Sequence, residues 1–144
     1  MDILWGAILT TLSLWGWLGQ SITVLFPKMA VKLQLTESKA DVDPAFFSDV
    51  RGEALWDMLI LWTLPVAGIL LLFDNSLWAY FGLVGAGMYF YFAGRGIIVR
   101  RGMVRRGIKI GNPKSISIIY VFLILSGIVA VITIFMAAAA LPWK

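Results

Sequence analysis

Residues 94–114 read GRGIIVRRGMVRRGIKIGNPK, and this stretch decides the fold. It carries seven of the chain's twelve basic residues (Arg95, Arg100, Arg101, Arg105, Arg106, Lys109 and Lys114) and no acid. Long apolar runs flank it on both sides. Positive charge gathered between such runs is the pattern of a polytopic membrane protein, whose basic connections stay in the cytoplasm.

Composition points the same way. Of 144 residues, 60% are hydrophobic and 14% are charged, and mean hydropathy is +0.89. A soluble domain carries about 25% charge. The chain has no Cys and no His. Their absence removes disulfides, thiolate nucleophiles, the commonest metal ligands and the usual near-neutral acid–base group. No G-x-x-x-x-G-K-[ST] phosphate loop is present. The inventory points away from an enzyme, and no catalytic, cofactor or metal residues are expected, nor a nucleic-acid partner.

Outward from the basic stretch, four runs are long enough to cross roughly 30 Å of hydrocarbon, which takes about 20 helical residues. The expected spans are about 3–26, 54–73, 77–97 and 115–141, joined by connections 27–53 and 98–114, all in one domain covering 1–144. The first run lacks the basic leader and small-residue cleavage site of a signal peptide, so it reads as a retained helix. Its hydroxyls (Thr10, Thr11, Ser13, Ser21, Thr23) suit bonds to their own preceding turn or to a neighbouring helix. Pro27 ends it.

In the first connection Val31, Leu33 and Leu35 alternate with polar residues, a pattern of extended chain. Asp43-Pro44 reads as an N-cap followed by proline at the first helical position. Phe46, Val50 and Ala54 then share one face. This predicts a short interfacial helix that ends near Gly52. Pro65 is expected to kink the second span, and Asp74-Asn75-Ser76 to turn the chain into the third. Gly82 with Ala86, and Ser126 with Ala130, form small-xxx-small pairs that let helices approach closely. Gly85 and Gly87 are expected to extend the first thin face. The fold class is therefore an all-α integral membrane protein, a four-helix transmembrane bundle with a short interfacial helix in the first cytoplasmic connection.

Orientation follows from charge. Connections 27–53 and 98–114 hold four and six basic residues, and with Arg95 at the adjoining end of the third span they account for eleven of the twelve. The positive-inside rule places them in the cytoplasm, both termini outside, and the protein in the plasma (inner) membrane. Trp5, Trp78 and Trp143 fall on the outer belt and Trp56 on the inner one. Trp15 and Trp62 fall near mid-depth, where they suit either packing between helices or the wall of a lipid or ligand groove.

Two sets of residues are candidates for function. Arg100, Arg101, Arg105, Arg106 and Lys109 suit contact with anionic lipid, worth about 1 kcal/mol per basic residue, or with an acidic partner. If helical, Arg101, Arg105 and Lys109 form one stripe, although glycines 94, 96, 102, 107 and 111 weaken a helix there. The second set is an intramembrane polar group of Asp57, Arg95, Glu53 and Gln20. Asp57 is expected to pair with Arg95, with Glu53 as a second acceptor and Gln20 at a similar depth. Asp49, Glu53 and Asp57 lie on one stripe, and pairing with arginine accounts for them more simply than a cation does. Tyr89-Phe90-Tyr91-Phe92 reads as an interface anchor.

These residues point to a non-enzymatic accessory or assembly subunit of a membrane complex, in contact with anionic lipid and with other membrane subunits or copies of itself. The alternative is a homo-oligomeric channel or small-solute transporter using Asp57 and Gln20. A lipid-modifying enzyme built on the same carboxylates and arginines is a third reading.

Overall fold

The computed structural model describes residues 2–141. Trp143, expected in the outer belt, and Lys144 lie outside the described residues. Six helices follow in order: α1 (Asp2–Leu25), α2 (Pro27–Lys32), α3 (Pro44–Ile60), α4 (Thr63–Leu72), α5 (Trp78–Arg105) and α6 (Pro113–Ala140). Four stretches are long and apolar enough to cross a membrane: Ile3–Leu25, Pro44–Leu72, Trp78–Arg105 and Pro113–Ala140. The chain is thus an all-helical integral membrane protein with four candidate spans.

The second span departs from the sequence reading. Asp43 caps α3, its carboxylate accepting from the Ala45 N–H at 2.8 Å, and Pro44 opens the helix. The helix then runs through Gly52 to Ile60, so the connection holds no separate interfacial helix ending at Gly52. Glycine costs a helix only about 1 kcal/mol relative to alanine, and Phe46 and Ala54, both buried on either side of it, outweigh that. The break falls at Leu61–Trp62. Leu61 is the residue whose carbonyl the Pro65 ring would strike in a continuous helix. Two carbonyls released there are taken up locally: Thr63 Oγ1 donates to Ile60 O at 3.1 Å and Trp62 Nε1 to Leu59 O at 3.0 Å. Pro65 is left in the first turn of α4, where its missing N–H costs nothing.

The first connection is not extended either. Pro27 starts α2 as well as ending α1. Gln34 closes α2 in the left-handed region at φ 58°, and the Leu35 N–H returns to Ala30 O at 2.9 Å, a Schellman-type stop. At the far end of α5 glycines 94, 96 and 102 lie inside the helix, which continues to Arg105. Gly107 (φ 76°) ends it, with the Ile108 N–H returning to Met103 O.

The spans pack as an open row. α1 lies on α4, α4 on α5 and α5 on α6, with α3 carrying on along α1, while α1 and α6 barely touch. Small residues set the close crossings. A Cβ on Gly68 would stand 2.7 Å from Thr10 N, and one on Gly85 would stand 2.7 Å from Leu64 N. Gly82 faces Ala137 across α5 and α6, whereas Gly87 faces open space and adds nothing to the thin face. Leu9, Leu61, Leu64, Ala86, Tyr89, Phe92, Leu123 and Ala130 form the main core. A second, small cluster of Val42, Phe46 and Ile110 ties the two connections together. Beside it the Asp43 N–H donates to Lys109 O at 2.9 Å.

Candidate functional site

The charged side chains gather at the end of the row that bears the two connections. Asp49 and Glu53 stand one turn apart on α3 and face Arg95 on α5. Arg95 Nη2 lies 2.6 Å from Asp49 Oδ1, and Nη1 lies 2.8 Å from Glu53 Oε1. Arg100, one turn and a half further along α5, brings Nη1 to 3.7 Å from Glu53 Oε2 and donates to Gly96 O at 3.1 Å. Its guanidinium sits 5.8 Å over the Phe46 ring, a cation–π distance. Both oxygens of Glu53 therefore face guanidinium groups.

Asp57 does not take the expected place. Arg95 turns away from it toward Asp49 and Glu53, two turns and one turn nearer the helix end. A long basic side chain in a span reaches for the interface, so it meets the acids that lie there. Asp57 is left buried at 2% exposure, its Oδ2 without a hydrogen-bond partner. Glu53, Arg95 and Arg100 are the charged groups within electrostatic reach of it. Among the described residues no three acidic side chains converge as a metal site.

Gln20 belongs to a cavity of about 190 Å³ between α1, α5 and α6. Its polar wall is Gln20, Gln34, Thr36, Glu53 and Arg100, and its apolar wall includes Trp15, Phe92, Ile118 and Phe122. Asp57 is not part of the lining. Residues 34–36 reach over this cavity because α2 stops at Gln34 and returns the chain. Trp15 is 67% exposed, so it walls the groove and is not wedged between helices. Trp62 is at the helix break, 6.3 Å from the Phe81 ring.

Of the basic stretch, Arg101, Arg105, Arg106 and Lys109 are exposed, whereas Arg100 turns inward. Lys109 lies past the end of α5, so the stripe expected with Arg101 and Arg105 loses its third member. The aromatic run divides likewise: Phe90 and Tyr91 face outward, and Tyr89 and Phe92 are buried. The Tyr89 hydroxyl donates to Ser13 O, and its ring meets Phe92 edge-on at 6.0 Å.

Three further contacts were not readable from spacing. Trp17 Nε1 donates to Met58 O at 2.9 Å, and Arg51 Nη1 donates to Thr23 O at 3.0 Å near the end of α1. The cation at a helix C-terminus has a general cause in the dipole, but nothing in the sequence says which helix Arg51 serves. The third is the Tyr89–Ser13 bond.

No protein-family model matches the chain, and no curated protein or solved structure matches it.

Proposed function

We propose that this chain is a non-enzymatic accessory or assembly subunit of a membrane complex, set in the plasma membrane with the two connections cytoplasmic and both termini outside. The observation that carries this reading is the mutual engagement of its charged groups. Glu53 faces Arg95 and Arg100, Asp49 faces Arg95, and Asp57 is buried and does not line the cavity between α1, α5 and α6. Carboxylates paired with arginine in this way, as Asp49 and Glu53 are, fasten helices together and are not free to act on a substrate. The exposed arginines and Lys109 stand ready for anionic headgroups or an acidic partner. The open row leaves α1 and α6 each with a free flank for a neighbouring subunit.

The channel reading required Asp57 and Gln20 to share a path. They lie in separate surroundings, which favours the subunit reading. The deciding experiment is purification from native membranes in lipid-preserving particles. A stoichiometric second polypeptide supports the proposal. A homo-oligomer that conducts ions or solutes after reconstitution replaces it with the channel.

A further inference from the structure

We infer that the cavity between α1 and α6 is a site for one membrane phospholipid, its phosphodiester held at the Gln20–Arg100 end and an acyl chain laid along the Trp15–Phe122 end. This goes beyond a subunit role and does not depend on which complex the chain joins.

The cavity is amphipathic along its length. Trp15, Gly19 and Thr23 line it from a single helix, a rise of about 12 Å at 1.5 Å per residue. Trp15 and Phe122 form the apolar end. The polar end lies beside the two connections, at the level where headgroups of the adjoining leaflet sit. At about 190 Å³ it is smaller than the roughly 300–1,000 Å³ that encloses a drug-sized ligand. It holds part of a molecule whose remainder lies in the open seam, where α1 and α6 fail to close.

The polar wall is rich in free donors. Glu53 is engaged at both oxygens by guanidinium groups, so the carboxylate is not open to a cation. Arg100 uses Nη1 on Gly96 O and Glu53, while its Nε is buried without a partner and its Nη2 makes no hydrogen bond. Gln20, Gln34 and Thr36 make no side-chain hydrogen bonds among the described residues. Amide, hydroxyl and guanidinium donors around one space suit a group with several acceptor oxygens and a negative charge, and a phosphodiester is that group. Arg101, Arg105 and Arg106, exposed and following Arg100 in the chain, raise the local concentration of phosphate headgroups.

Gly19 gives a clean test. It lines the cavity, and a Cβ there meets nothing within 4 Å. Gly19→Leu starts from an unobstructed Cβ, puts apolar bulk at the cavity wall and favours the helix. The full chain is purified in lipid-preserving particles and its retained lipid counted by native mass spectrometry after exchange against phosphatidylglycerol, phosphatidylcholine or diacylglycerol. The expected result is about one tightly held phospholipid per chain, displaced by either phospholipid and not by diacylglycerol. Gly19→Leu should lose it with no fall in melting temperature. Gln20→Leu, which leaves the arginine cluster intact, should weaken retention about tenfold, the size of one lost charge-assisted hydrogen bond. Equal retention in Gly19→Leu, or displacement by diacylglycerol as readily as by phospholipid, overturns the proposal.

Discussion

Arg95 lies 2.6 Å from Asp49, and the two side chains are equally exposed at 25%. The pair joins the start of α3 to the inner face of α5, helices that otherwise touch little. Removing the guanidinium leaves Asp49 and Glu53 facing each other across a half-buried space. Arg95→Met should lower stability by about 3 kcal/mol, the low end for breaking a buried pair, because water reaches this one in part. Thermal unfolding in detergent measures it, and an unchanged melting temperature would show that the pair does not fasten the helices.

Asp57 should behave in the opposite way. It is buried with an unpartnered oxygen, and such a group is costly. Asp57→Leu should hold or raise stability, by about 1 kcal/mol if the space accepts the new side chain. A clear loss of stability would mean that Asp57 has a partner that the folded monomer does not supply.

The glycines divide by surroundings. Gly68→Ala drives a methyl group into the Thr10 backbone, which cannot yield as a flexible side chain would, and should cost at least about 2 kcal/mol. Gly102 lies in α5 with open space around its Cα. Gly102→Ala should stabilise by up to about 1 kcal/mol. Melting curves of the two variants should move in opposite directions; a shared direction would show that the crossing at Gly68 is looser than described.

Topology has its own test. A fluorescent protein that matures only in the cytoplasm, fused after Lys144, should stay dark in an inserted full-length fusion. Bright cells would reverse the proposed orientation.

The exposed basic residues are expected to gather an annulus of anionic lipid. Replacing Arg101, Arg105 and Arg106 together with Gln removes about 1 kcal/mol of attraction per residue near a charged surface. The anionic share of co-purified lipid should fall while the zwitterionic share does not. An unchanged ratio would leave these residues to a protein partner or to topology alone.

The spans were legible because an apolar run of about 20 residues with at most one charge has few other solutions. The cap at Asp43 and the break before Pro65 were legible too, since both follow from local chemistry that acts within four residues. Gly52 misled because its intrinsic helix cost is small against the burial of Phe46 and Ala54, which only the packed structure reveals. The partner of Arg95 was missed for a similar reason. The expectation rested on helix positions, yet the long Arg95 side chain reaches toward the interface and meets Asp49 and Glu53 there. Of the cavity, only Trp15 as a candidate groove wall and Gln20 as a polar candidate were readable, and not that they share one space. It exists because α1 and α6 do not close, and closure depends on which thin faces the other helices use.

The span Pro44–Leu72 has 29 residues, about 43 Å of helix, against roughly 30 Å of hydrocarbon. Some of it must stand clear of the acyl chains, and the small cluster of Val42, Phe46 and Ile110 lies at its first turn. The protein therefore has two cores in two different solvents. The inner one is held by close contact and by interhelical hydrogen bonds such as Tyr89 to Ser13, since lipid tails are as apolar as leucine. The outer one is held by the aversion of water for apolar surface, which urea weakens and cooling weakens too. Moderate urea should release the Asp43 amide that bonds Lys109 to hydrogen exchange while the spans stay protected. The two connections would then come apart as a unit, like a clasp undone on an intact frame.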